Sequence, residues 1–299
     1  KSMEGGFISF NERIDARKIR ARSKSFFDHF SQATLFFNSQ SDAEKNHIID
    51  ALRFELGKVE TVSIRERVLG LLSQVDKTLA AKVAEGLGMQ VPKVLEQPIN
   101  HSIPADGDPK KFQPVKVKSS LEKSGALSMA STKKDSVKTR QIAILAADGV
   151  DEASITTMKS ALEAAGAQTK IIAPRLGNIK TANGKQLKVD QSFLIAASVL
   201  FDAVYIPDGK ASAETLMDEP DAVHFINEAY KHCKAIAADG AGAELVYVTS
   251  AGIKIHGEGK ADKNSTANGV VLDRNPKDLI KAIAQHRFWE REKPGKVPA

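Results

Sequence analysis

One cysteine, Cys233, is the whole thiol complement of this 299-residue chain. It excludes an intramolecular disulfide and any cysteine-based zinc cluster, and it fits a reducing compartment, with the cytoplasm favoured. Apolar runs are short: none approaches the ~18 residues that a membrane span needs, so no membrane is expected as a partner. The opening residues KSMEGGFISFNER lack the apolar core of a signal peptide. Aromatic residues make up 6% of the chain, and no stacking platform or recognition motif accompanies the Lys/Arg clusters at 13–24 and 110–140. Those clusters therefore read as solvated or linker sequence, and nucleic acid is not expected as a partner in spite of a net charge of +6. Glycine-rich phosphate loops are missing in either nucleotide-binding spacing.

What is present is ordinary soluble composition, 42% hydrophobic and 27% charged, in a chain long enough for two domains. Ser41 with Glu44 and Ser63 with Glu66 have capping-box spacing and mark two helix starts. Behind the first, Ile48, Ile49, Leu52, Leu56 and Val59 keep the helical period; behind the second come Val68, Leu71, Leu72 and Val75. A third helix carries Leu79, Val83 and Leu87, with Gly86 and Gly88 ending it. Short links between the three imply an antiparallel bundle. Prolines at 92, 98, 104, 109 and 114, followed by SSLEKSGALSMASTKKDSVK, leave too little hydrophobic density for a core. Residues 92–138 are therefore expected to be a linker, free to wrap along a surface.

From 139 onward short apolar runs alternate with helical ones. Gln141–Ala147 reads as a strand, Asp148-Gly149 as a turn, and Glu152–Ala165 as a helix ended by Gly166. Further strands are expected at Thr169–Ala173, Ala203–Ile206 and Ala235–Ala238, with a helix around Ala222–His232. Asn183-Gly184 between 179–181 and 186–189 signals a type I′ hairpin. A last helix, Pro276–Arg291, would pack through Leu279, Ile280, Ile283 and Phe288. The fold class expected is α/β: a parallel-sheet domain at 139–299 preceded by an all-α helical bundle segment at 1–91.

Several stretches resemble one family. The run IRARSKSFFDHFSQATLFFNSQSDAEKNHIIDALRFELGKVETVSIRER at 19–67, VDKTLAAKVAEGLGM at 75–89 and HRFWEREKPGKVPA at 286–299 are similar to the helical region and C-terminus of large-subunit haem catalases. IAILAADGVDEASITTMKSALEAAGAQTKIIAPRLG at 142–177 resembles the flavodoxin-like domain that distinguishes them from small-subunit catalases. The resemblance covers nearly the whole chain, which starts about where that family's haem-binding portion ends. It implies a tetrameric parent that decomposes hydrogen peroxide to water and oxygen at a haem held in a β-barrel. It also implies partners for this chain: the parent's own haem barrel and its sister subunits. In the family a tyrosinate holds the iron, with a distal histidine and asparagine. Neither the tyrosines here, Tyr205, Tyr230 and Tyr247, nor His29 and His47 in the bundle match that context. Haem is thus expected in the parent and no cofactor in this chain, and no position is assigned as catalytic, cofactor-binding or metal-ligating. The His and Tyr residues are read as packing or surface residues, with Tyr205 in a strand, Tyr247 in a strand or its approach, and Tyr230 in a helix.

A wider resemblance, through IPDG at 206–209 and IAADGAG at 236–242, is to the class I glutamine amidotransferase and intracellular protease superfamily. Its enzymes carry a cysteine on the sharp turn after such a strand, where a helix N-terminus lowers the thiol pKa. Here that turn carries Asp239 and Gly240, and the next serine or threonine along the chain is Thr249. Cys233 sits at a helix C-terminus, which would raise its pKa, and reads as a structural cysteine. Asp148, Asp151 and Glu152 at the first βα turn could form a general-base cluster, but such acids more often cap the helix. Asp208-Gly209 marks where α/β sheets place ligands. Three functions compete: a structural part of a catalase, serving stability and oligomerisation; a holdase-like chaperone for unfolded clients, using an apolar surface at Phe26, Phe27, Phe30, Phe36 and Phe37; and, last, a residual hydrolase or glyoxalase-type enzyme, which lacks a nucleophile.

Overall fold

Ser41 and Glu44 form the reciprocal cap that their spacing predicts. In the computed structural model Glu44 Oε2 accepts from the Ser41 amide at 2.8 Å and Ser41 Oγ accepts from the Glu44 amide at 3.4 Å. The structure describes residues 9–15, 22–95, 97–104, 107–117, 119–131, 134–252, 267–273 and 275–292. Parts of the 13–24 basic cluster, of the 19–67 run and of the closing 286–299 run lie outside them. Contacts divide the chain into two compact units, Lys1–Leu127 and Ser128–Ala299.

The first unit holds α1 (Ser31–Ser39), α2 (Asp42–Gly57), α3 (Val62–Val75) and α4 (Lys77–Gly86). Phe37, Ile49, Leu56, Leu69, Leu79 and Val83 are buried among them, at the helical spacing that the sequence shows. The second capping box does not form. Thr61, without a side-chain cap bond, precedes α3, and Ser63 is already inside its first turn. The cause is the preceding link: the Arg65 guanidinium donates to the Val59 and Gly57 carbonyls at 2.6 and 3.3 Å and draws the helix start back. Asp76 instead caps α4, accepting from the Leu79 amide at 2.8 Å. The proline-rich stretch lies along these helices. The Val115 amide donates to Phe27 O at 3.0 Å, Gln40 Nε2 to Leu127 O at 2.9 Å, and the Ser124 amide to Ser39 Oγ at 2.9 Å.

In the second unit β1 (Gln141–Leu145), β2 (Gln168–Ala173), β5 (Gln191–Ser192), β6 (Ala203–Ile206), β7 (Ala235–Ala238) and β8 (Val270–Leu272) form a parallel sheet. Its order is β5-β2-β1-β6-β7-β8. Successive side chains leave opposite faces of a strand, and both faces are covered. Ile142 and Ile144 meet α5 (Glu152–Ala164) and α9 (Pro276–Ala284) through Ile155, Leu162, Leu279 and Ile283. Ala143 and Leu145 meet α6 (Lys210–Met217), α7 (Pro220–Lys231) and α8 (Gly242–Val248) through Leu216, Ile226 and Leu245. The α/β class and the parallel sheet are as the sequence implies.

Three local expectations fail here. β3 (Asn178–Lys180) and β4 (Gln186–Lys188) pair antiparallel, but Asn183 lacks the positive φ that a type I′ turn requires and only Gly184 has it, at +90°. The Thr181 hydroxyl donates to Asn183 Oδ1 and accepts from the Lys185 amide at 2.9 Å, which builds a wider loop. Tyr247 lies in α8 and not in a strand. The last helix stops at Ala284; His286 has φ +68° and Trp289–Glu292 is a separate 3-10 turn. It stops because the following residues are spent elsewhere: the Phe288 amide donates to Cys233 O at 2.8 Å, and the Arg291 guanidinium donates to Asn268 O and Lys234 O at 2.6 and 2.7 Å.

His286 is 8% exposed. Burial first, then Arg287 and Arg140, push its pKa down to about 4. An ordinary histidine titrates near 6.5, so between pH ~6.5 and ~4 the unfolded chain binds a proton that the folded unit excludes. Stability is therefore expected to fall on acidification through that window, by roughly 3 kcal/mol for this group. Urea midpoints measured from pH 7 to 4 should show a shallower acid limb in His286→Asn; an identical limb would refute this role.

Candidate functional site

The carboxyl ends of β6, β7 and β8 and the first turn of α5 converge on one constellation. Tyr205, fully buried in β6, donates from its hydroxyl to Asp239 Oδ2 at 2.6 Å, and Ser154 Oγ lies 2.7 Å from the Tyr205 hydroxyl oxygen. Burial and then the Asp239 bond hold the phenol protonated, its pKa well above the usual value. Ser154 Oγ also accepts from the Asp208 amide at 3.1 Å. Asp208 Oδ1 accepts from the amides of Gly209 and Ala241 at 2.7 and 2.8 Å, and Asp273 Oδ1 accepts from Gly240 at 2.7 Å.

These bonds lace the three strand ends together and fill the turn after β7. Gly240 has φ +51°, the left-handed geometry of a nucleophile elbow, but a Cβ built there would collide with the Asp208 carboxyl group. The elbow's shape is kept while the room for its side chain is taken by a carboxylate. Thr249 does not substitute: it is buried and its hydroxyl donates to Val246 O at 2.6 Å. Among these groups Tyr205 and Ser154 have functions in the network that the sequence reading missed. The signal was there, because a tyrosine within the apolar strand AVYI needs a partner for its hydroxyl.

The acids of the first βα turn each have a structural task. Asp151 caps α5, accepting from the Ser154 amide at 2.7 Å. Glu152 accepts from Asn183 Nδ2 and Lys185 Nζ, both at 2.6 Å, and these contacts lower its pKa. Asp148 accepts from the Lys180 amide at 2.7 Å and pairs with Arg175 at 3.4 Å. A cleft of about 930 Å³ opens beside them, with Asp148, Gly149, Arg175, Lys180, Gly209 and Lys210 among its walls.

Cys233 is fully buried at φ +58°, and its thiol pKa is pushed up to about 11. Burial is the main cause and the Glu292 carboxylate the next, whereas the helix end was expected to lead. Tyr205 is spent on Asp239, Tyr230 packs beneath the Arg291 guanidinium 4.5 Å from its ring, and Tyr247 lies on the short α8. His29 packs against Phe26 and Phe30. Among the described residues no group of three or more His, Cys, Asp or Glu is placed to hold a metal ion.

Comparison with known proteins decides the lineage. The model of the C-terminal domain found in long catalases matches residues 138–293. The chain belongs to the long, large-subunit catalases. A second model, catalase-related immune-responsive, matches residues 23–87. Catalase HPII of Pseudomonas putida is 41% identical over 100% of this chain and 38% of its own length. Catalase-2 of Bacillus subtilis is 37% identical over 96% and 38%, and catalase-B of Dictyostelium discoideum 33% over 99% and 40%. The chain thus spans about two fifths of the length of these catalases.

Proposed function

We propose that this chain serves a large-subunit haem catalase as its helical and C-terminal α/β portions, contributing subunit contacts and stability while the peroxide chemistry takes place in the parent's haem barrel. In the whole enzyme that chemistry converts hydrogen peroxide to water and oxygen, and the partners of this chain are its own barrel and sister subunits. The observation that carries this reading is the filled elbow: the turn after β7 holds Gly240, at φ +51°, against the Asp208 carboxyl. Expressed alone and supplied with haem, the 299-residue chain is expected to develop no Soret band and to release no oxygen from peroxide; either signal would overturn the reading. Conversely, removing the matched region from the Pseudomonas putida relative should shorten its thermal half-life and loosen its assembly without changing turnover per haem. Unchanged assembly and half-life would count equally against it.

A second reading, holdase activity, is favoured by a different surface from the phenylalanine one expected. Phe37 is buried in the bundle, while Phe26 and Phe36 are exposed. Larger exposure lies in the second unit, where Leu194, Ile195, Val199 and Leu200 are 87%, 57%, 79% and 53% exposed within seven residues. Such aliphatic surface binds partners. If it binds unfolded clients, the chain at stoichiometric ratio should suppress aggregation of a heat-labile protein, and Leu194→Asp with Val199→Asp should abolish the effect. Absence of protection would remove this reading.

A further inference from the structure

We propose that the cleft at the carboxyl edge of β1, β2 and β6 binds a phosphorylated polyol, in chemical class a sugar phosphate. The sheet order creates the place. β1 leads through α5 to β2 on one side, and the chain returns to β6 on the other side of β1, so α5 after β1 and α6 after β6 diverge to opposite faces of the sheet. A parallel sheet takes its ligands in the crevice that such a divergence leaves. This crevice is the cleft of about 930 Å³, within the range of small-molecule sites.

Its charge identifies the ligand. Arg175, Lys180 and Lys210 line the cleft, and among the described residues Asp148 is the only acid that does. Asp148 is already engaged by the Lys180 amide and by Arg175. The Lys180 ammonium has no carboxylate within ion-pair distance among the described residues. Lys210 reaches Glu214 only at 3.9 Å, with 85% of its side chain exposed. Both lysines are thus available to an anion. On the same wall α6 begins without a side-chain cap, and its first residues Lys210 and Ala211 border the cleft, so free amides add to the positive field.

The rest of the lining narrows the choice. No aromatic residue among the described ones borders the cleft, which leaves a nucleobase none of them to stack on. Asn178 and Gln186 border it instead, both exposed and with no bond from either side-chain amide to a described residue. Amides of that kind, with the Asp148 carboxylate, suit hydroxyl groups. An open site of exposed cations is also screened by salt, so affinity should fall as ionic strength rises.

Ribose 5-phosphate titrated into the 299-residue chain at low ionic strength, followed by calorimetry and amide chemical shifts, tests this. One equivalent should bind saturably, shifting Asp148–Asp151, Arg175–Gln186 and Gly209–Ser212. Inorganic phosphate should bind there more weakly, and ribose not at all. Lys180→Ala or Lys210→Ala should each weaken binding by roughly fivefold, the equivalent of about 1 kcal/mol for one charge pair at 4 Å in water, whereas Lys281→Ala on α9 should not. The site is overturned if neither phosphate saturates, if Lys281→Ala weakens binding equally, or if binding survives Lys180→Glu with Lys210→Glu. Inorganic phosphate binding as tightly as the ester, or ribose binding as tightly, would overturn the sugar-phosphate assignment.

Discussion

Gly209→Ala is expected to destabilise the second unit by about 4 kcal/mol. Gly209 has φ +132°, a backbone conformation that is strained for any residue with a side chain. A Cβ there would lie 2.7 Å from Gly149 O, 2.7 Å from the Val150 Cα and 2.8 Å from the Asp151 amide nitrogen. All three are backbone atoms, so relief cannot come from a rotamer change. Moving them would also strain the bond from the Asp151 amide to Asp208 O, 2.8 Å long, that joins the loops after β1 and β6. Trp289 is the chain's only tryptophan and lies in this unit, so its fluorescence through a urea titration reports on this unit directly. A shift worth less than about 1 kcal/mol would mean that the loop accommodates a side chain.

Arg291→Ala should cost about as much, roughly 4 kcal/mol. Arg291 is 6% exposed, and its guanidinium donates to Asn268 O at 2.6 Å and Lys234 O at 2.7 Å and stacks 4.5 Å from the Tyr230 ring. Burial draws its pKa down to about 10, still far above neutral pH, so it stays charged and its donors stay strong. Truncation leaves two carbonyls unmet and a cavity behind. Arg291→Met restores most of the volume but none of the donors, and should recover about half of the loss. Equal stability of the Ala and Met variants would show that the hydrogen bonds, not the packing, carry the effect. Wild-type stability in both would refute the role altogether.

Much of the architecture follows from local pattern. AVYI and AIAA are buried on both sides as β6 and β7, and Ser41 with Glu44 caps α2 as spaced. Where local pattern misled, a tertiary contact decided. LVYVT has strand-forming residues, yet at 245–249 it closes a helix, because Ala243, Leu245 and Val246 reach the core together only at helical spacing. Ser63 has a partner acid at the right distance, but Arg65 fixes the preceding turn first. A tyrosine in the apolar strand AVYI shows that its hydroxyl needs a partner, but the chain does not show which. The members of the Tyr205 network stand 51 and 34 residues apart, and only the parallel register brings Ser154 and Asp239 to one hydroxyl. Fold class and family are thus carried by short-range signals, whereas the filled elbow depends on Asp208 and Gly240, each unremarkable in its own segment.

The setting of Cys233 bears on survival beside an oxidant. Peroxide attacks thiolates and hardly touches thiols. With its pKa near 11 and no exposed surface, Cys233 presents a thiolate fraction on the order of 10⁻⁴ at pH 7. Sulfenic acid formation at the chain's only cysteine is therefore suppressed twice, by protonation and by exclusion. Among the described residues the most exposed sulfur is the thioether of Met129, 54% exposed, whose sulfoxide is repairable.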